Sequence, residues 1–299
     1  MSWSRRELLQ LFAALSAGGP MERMRTRAIP RTGEQLPVIG MGTYRTFDVG
    51  EAEEERKPLR EVLRRLFDGG GRAIDSSPMY GRAEQVVGEL VEPQRQPFLA
   101  TKVWTSGREE GIAQMQRSMR RMLPRGDRPF DLMQIHNLLD WRTHLPTLRA
   151  WKEEGKIRYW GITHYTESAF AEMEAIVRAE KPDFVQLPYS IGAREAEKRL
   201  LPACAEHGVA VLVERPFEAG SLFRDVVKRP LPAWAAEIDC ASWAQVFLKF
   251  ILGHPAVTCP IPATSKPEHM ADDVRAGYGR LPDERLRRRI AAELTGGNR

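Results

Sequence analysis

The sequence predicts a single-domain α/β protein, a (β/α)8 TIM barrel. Three observations carry this. Eight short apolar segments recur along the chain, and most are continuous runs, as in parallel strands buried on both faces. Helical patterns with one apolar stripe lie between them. The competing doubly wound fold lacks its phosphate-binding turn: "GMGTYR" supplies Gly40 and Gly42, but Arg45 stands where a third glycine belongs, and no helix follows.

The strand candidates begin with "LPVIGMGTY". A helical stripe follows at Leu59, Val62, Leu63, Leu66 and Phe67. The second strand, "RAIDSS", ends in a polar loop with Asp75 and Tyr80, and a helix opens at Ala83 or Glu84. The third, "PFLATKVW", carries Lys102, and Ile112, Met115, Met119 and Met122 form the next stripe. The fourth, "DLMQIHN", carries His136 and reaches its helix through a short loop. The fifth, "IRYWGITH", precedes a stripe at Phe170, Met173, Ile176 and Val177. The Met and aromatic stripes read as core. "DFVQLPY", "AVLVERP" and "VTCPIPA" complete the set. After the last, Ser265 and Glu268 have the spacing of a capping box, so a helix is expected from near Lys266.

Composition narrows the class. Hydrophobic residues make up 42% and charged residues 28% of the 299, ordinary for a chain with a full core. The net charge of +5 is spread over alternating stretches such as "DERLRRRIAAEL", which read as solvated helix faces. No basic run is interleaved with aromatics, which argues against nucleic acid as a partner. Cys204, Cys240 and Cys259 are too few and too scattered for a disulfide framework, and the six histidines form no metal-ligand pair.

Residues 1–20 read differently from the rest. Arg5 and Arg6 precede a short apolar stretch, Leu8 to Leu15, followed by Ser16, Ala17 and Gly18. This pattern resembles a twin-arginine export signal. The stretch is too short to span a bilayer, so no membrane insertion is expected. The expected organisation is therefore a signal over 1–20 and the barrel over 21–299, with the protein exported to the periplasm. The alternative is a frayed helix ahead of a start at Met21 or Met24, in a cytoplasmic protein.

In such a barrel, chemistry sits where strands end. Asp75, Tyr80, Lys102 and His136 fall at three successive strand ends. A lysine in an apolar strand is costly unless paired, and Asp75 can pair with it. The four suit carbonyl reduction. Tyr80 would give the proton, Lys102 would make the phenol a better acid, Asp75 would hold Lys102 charged, and His136 would orient the carbonyl oxygen.

These motifs resemble the aldo-keto reductase family. "GGRAIDSSPMYGRAEQVVG" is similar to its signature, and "LATKVW" and "MQIHN" supply its Lys and His. "LPVIGMGTYRTF", "EEGKIRYWGITHY" and "VTCPIPATSKPEHMADDV" resemble its first strand, its fifth strand and its cofactor-clamping segment. The likeness runs from about Arg27 to the C-terminus. It implies an extended nicotinamide dinucleotide, NADP(H) favoured over NAD(H), and reduction of an aldehyde or ketone, sugar-derived carbonyls included, to an alcohol. The alternative is an NADP-binding regulatory barrel with little turnover.

The resemblance also implies a cofactor site. Gly42, Thr43 and Asp75 would lie beside the cofactor, and Gln186 would bind the nicotinamide carboxamide. Thr163 and His164 stand where many relatives carry Ser-Asn. Many relatives stack a Tyr on the nicotinamide after the seventh strand; here Glu214 aligns, and either Arg215 or Phe217 takes that role. Gly220 and Ser221 would offer backbone N–H groups to the pyrophosphate. Thr264, Ser265, Lys266 and His269 would meet the 2′-phosphate, and Asp272 and Asp273 the adenine. Tyr44, Met79, Trp104 and Asn137 would line the substrate pocket.

Overall fold

A computed structural model describes residues 23–226 and 228–295. The twin-arginine-like stretch, residues 1–20, lies outside the described residues. Two short antiparallel strands, β1 (Thr26–Ala28) and β2 (Gln35–Pro37), form a hairpin ahead of the barrel. Eight parallel strands follow: β3 (Met41–Gly42), β4 (Ala73–Asp75), β5 (Phe98–Val103), β6 (Phe130–His136), β7 (Ile157–Thr163), β8 (Phe184–Pro188), β9 (Ala210–Glu214) and β10 (Cys259–Pro260). Each pairs with its neighbours in chain order. A bridge between Gly42 and Ala263 draws the first and last strands together.

The first predicted strand is therefore two elements. Gln35–Pro37 pairs with β1, and only Met41–Gly42 enters the barrel. Gly40 marks the crossing. A Cβ there would stand 2.8 Å from the Ala73 Cβ and 3.2 Å from the Cys259 sulfur, so the chain passes between its neighbours only without a side chain. β10 is shorter than "VTCPIPA" because Pro260 and Pro262 have no N–H for a ladder. Their carbonyls still accept from Gly40 and Gly42.

The helices that follow the early strands are α1 (Glu53–Asp68), α2 (Ala83–Leu90), α3 (Arg108–Met122), α4 (Trp141–Glu153) and α5 (Phe170–Glu180). The later ones are α6 (Leu200–Glu206), α7 (Ser221–Val226), α8 (Trp243–Leu252), α9 (Pro267–Asp273) and α10 (Glu284–Thr295). The predicted stripes face the sheet. Leu59, Val62, Leu63 and Leu66 are buried, as are Met115, Met122 and all four residues of the α5 stripe. Phe67, Ile112 and Met119 pack at the edge of this layer.

A separate cluster fills the barrel itself. Phe98, Tyr159 and Phe184 meet with ring centroids 5.4–6.0 Å apart, above Ile29 and Leu36 of the hairpin. The Tyr159 hydroxyl donates to Glu34 at 2.6 Å and lies 2.8 Å from Thr32 Oγ1. The hairpin thus plugs the N-terminal mouth and leaves the C-terminal ends of the strands as the accessible end. Among the described residues no helix is long and apolar enough to cross a membrane, and no cluster of His, Cys, Asp or Glu has the makings of a metal site.

Candidate active site

β4 ends at Asp75, in register with Ala100, and β5 brings Lys102 level with Gln134 of β6. These inward positions meet under the open mouth. The Lys102 ammonium is fully buried and donates to Asp75 Oδ2 at 2.6 Å and to the Ser76 carbonyl at 2.7 Å. Gln134 and Gln186 add N–H donors to the two Asp75 oxygens, each at 3.1 Å. Thr43, beside Gly42, donates from its hydroxyl to the Asp75 carbonyl and to Ser76 Oγ. A buried ion pair survives only when its remaining valences are met, and here amides and a carbonyl meet them.

Tyr80 lies over this pair, its ring centroid 5.3 Å from Lys102 Nζ. His136 closes the other side, edge-on to Tyr80 at 6.0 Å. Ser77 Oγ lies 2.9 Å from His136 Nδ1 and accepts from the Met79 N–H at 3.4 Å. Either atom can donate: with its proton on Nε2 the imidazole accepts from Ser77 and keeps its own N–H for a ligand. Burial, reinforced by Lys102, lowers the His136 pKa to about 3, so the ring is a neutral donor.

The expectation that Lys102 makes Tyr80 more acidic is corrected. The phenol is pushed well above its ordinary value, by burial first and then by Asp75, Glu214 and Tyr44. All of these act in one direction, Asp75 and Glu214 by adding negative charge beside the phenol. Tyr80 is therefore a firmly protonated donor.

The rim is apolar. Tyr44, Met79, Trp104 and Tyr165 are the large hydrophobic side chains left exposed among the described residues, at 39–50%. They follow β3, β4, β5 and β7. Tyr44 reaches Tyr80 at 5.0 Å and Trp104 reaches His136 at 6.3 Å, so rim and floor form one aromatic wall. Asn137, at the end of β6 with φ 54°, keeps a buried Oδ1 without a partner.

Across the mouth, Thr163 is buried beside His136 in the ladder, and the His164 N–H donates to the Gln186 carbonyl. The His164 ring accepts from the Thr166 N–H and stacks on Tyr165 at 5.5 Å. Gln186 spends its N–H on Asp75 and leaves its buried Oε1 unpartnered.

Several residues expected around the cofactor make contacts within the protein. The Gly220 and Ser221 N–H groups donate to Phe217 and Glu218 carbonyls within one turn, so neither is free for a pyrophosphate. Phe217 clusters with Phe223 and Phe247, at 5.0 and 6.5 Å. Arg215, the other candidate, is exposed with φ 52°. No Ser265–Glu268 capping box forms: α9 starts at Pro267, and Thr264 Oγ1 accepts from the Lys266 N–H instead. Asp272 accepts from Ser242 and Gln245, and Asp273 is buried. Ser265, Lys266 and His269 are exposed together at the start of α9.

Three contributors escaped the sequence reading. Gln134 shares the inward face of β6 with His136, two residues on, a spacing that marks it. Ser77 and Tyr165 follow residues already singled out and carry no signal of their own.

Comparison with known proteins agrees with this geometry. Residues 38–291 match the model of the Aldo/keto reductase family. Methylglyoxal reductase YeaE of Escherichia coli is 30% identical over 247 residues, covering 78% of this chain and 84% of that protein. Two crystal structures of Klebsiella pneumoniae aldo-keto reductase share the fold at 24% identity. One, in complex with NADPH, has a TM-score of 0.74 and covers 92% of this chain and 95% of its own. The other, with NADP and acetate, has a TM-score of 0.75 and covers 90% and 95%. With a matched family model over most of its length and the expected barrel, this chain belongs to the aldo/keto reductase family.

Proposed function

We propose that the chain reduces an aldehyde or ketone to an alcohol, with NADPH as reductant and Tyr80 as proton donor. The observation that carries this is the pairing of two neutral donors, the Tyr80 phenol and the His136 imidazole, over a buried Lys102–Asp75 pair at the open end of the barrel. The residues present fit a nicotinamide. The buried Gln186 Oε1 has no partner in the protein and would accept from the carboxamide N–H, with Thr163 and His164 at its side. Bound there, the reduced nicotinamide supplies a hydride.

The side chains do the rest. His136 Nε2–H donates to the carbonyl oxygen and fixes its direction. As negative charge builds on that oxygen, it becomes more basic than a phenolate, and the Tyr80 proton moves to it. The phenolate left behind takes a proton back from solvent through the mouth. Lys266, with Ser265, Thr264 and His269, forms the reading for a 2′-phosphate and so for NADP(H) over NAD(H), which agrees with the ligands of the Klebsiella structures. Export by the twin-arginine route is part of the same proposal.

The test follows nicotinamide absorbance with the purified chain, NADPH and a panel of carbonyls, with Tyr80→Phe beside it. Loss of a single proton donor should cost on the order of 100-fold or more in turnover. NADPH binding without turnover in the parent protein, on every carbonyl, would favour the regulatory barrel.

A further inference from the structure

Glu214 is the last residue of β9, level with Pro188 of β8. It stands two residues beyond the level of Gln186 on the adjacent strand, close enough to Tyr80 for its charge to act there. Its Oε1 is sealed from solvent and has no hydrogen-bond partner, and the next residue, Arg215, is exposed and leaves that oxygen unpaired. A carboxyl oxygen buried without a donor is costly, and nothing in the fold here requires one. The neighbouring acceptor, Gln186 Oε1, is bare in the same way. Two orphan acceptors on adjacent strand ends describe a site for a ligand that brings donors and positive charge.

The proposed chemistry says where that charge arises. Tyr80 and His136 take the carbonyl oxygen over β4 and β6. The hydride donor must then lie across from them, over the ends of β7, β8 and β9. A nicotinamide is neutral when reduced and cationic when oxidised. We propose that Glu214 presents a carboxylate to this ring and makes the barrel hold the oxidised cofactor more tightly than the reduced one. The inference rests on the nicotinamide reading of the site. Its consequence is a bound cofactor biased toward giving up its hydride.

The groups facing Glu214 are consistent with a charge held in reserve. Burial raises its pKa to about 7, Lys102 pulls it down, Asp75 pushes it up and Arg215 pulls it down again. A cation placed beside it favours the ionised form.

The experiment measures dissociation constants of NADP+ and NADPH separately for the full chain and for Glu214→Gln and Glu214→Asp, by titration at about pH 8, where the free carboxyl is mostly ionised. Glu214→Gln keeps the shape and removes the charge. It should weaken NADP+ binding about tenfold relative to NADPH, the scale of one partly buried charge pair. Glu214→Asp should keep most of the preference. Equal shifts for both cofactors, or none, would overturn the proposal. If the parent chain binds neither cofactor, the nicotinamide reading itself fails, which a selective loss in Glu214→Gln cannot be mistaken for. Thermal melts of both variants separate a folding defect, which weakens both cofactors alike, from the charge effect.

Discussion

Lys102 Nζ lies 2.6 Å from Asp75 Oδ2 with no solvent-exposed surface on the lysine. Asp75 also holds the two glutamines, so this pair is the hub on which the floor of the site is built. Removing one partner leaves a buried charge with only neutral amides around it. Lys102→Met should therefore cost about 3–5 kcal/mol of unfolding free energy. Replacing both partners, Asp75→Leu with Lys102→Met, should recover most of that loss while activity stays absent. Urea denaturation of the two variants decides it; a single variant as stable as the parent would show that the pair is not the hub.

His136 sets a sign for acid behaviour. Its pKa is about 3 in the fold against 6.5 in the unfolded chain. Between those values the unfolded state binds the extra proton, so this group leaves stability intact above pH 6.5 and removes it progressively as pH falls toward 3. The full effect is on the order of 5 kcal/mol. His136→Asn should flatten that slope in pH-dependent melts, and the imidazole NMR signals of His136 should stay unshifted from pH 8 down to about 5. A midpoint near 6.5 would refute the neutral-donor reading.

The barrel was legible because its signals are local and repeated. Apolar strand runs and helical stripes need only neighbouring residues, and those stripes are the ones buried here. Asp75, Tyr80, Lys102 and His136 were legible because strand ends converge by topology. What needed coordinates was interaction across the chain. Glu214, from a strand far along the chain, adds negative charge beside the Tyr80 phenol, which no spacing reveals. Phe217 finds Phe247 thirty residues away (247 − 217 = 30). Asp273 falls three residues after buried Met270 and just before buried Val274, a period that could have marked it as inward-facing.

Lys266 offers a test of cofactor choice. It is exposed at the start of α9, next to Ser265 and close in sequence to His269. As a charge partner for a 2′-phosphate it should matter for NADPH and not for NADH. Lys266→Ala is expected to weaken NADPH about tenfold and NADH less than twofold, on the scale of one charge-assisted contact. Fluorescence titration with both cofactors reads this directly. Equal affinity changes would assign the phosphate elsewhere.

Tyr165 and Trp104 carry the last prediction, which concerns the substrate. Both are large, apolar and about half exposed at the rim, and exposed aromatic surface at a cleft is available for a ligand to cover. Trp104 leans on His136, and Tyr165 is held by its stack on His164, so neither must reorganise to bind. A carbonyl with an aromatic or branched apolar body would bury these faces, whereas a two- or three-carbon aldehyde has no body to cover them. Trp104→Ala and Tyr165→Ala should each raise KM for an aromatic aldehyde about tenfold, the value of a buried ring contact, and change kcat little. For a three-carbon aldehyde, Tyr165→Ala should leave KM within twofold. If both substrates lose affinity equally, the rim shapes the site and does not select its substrate.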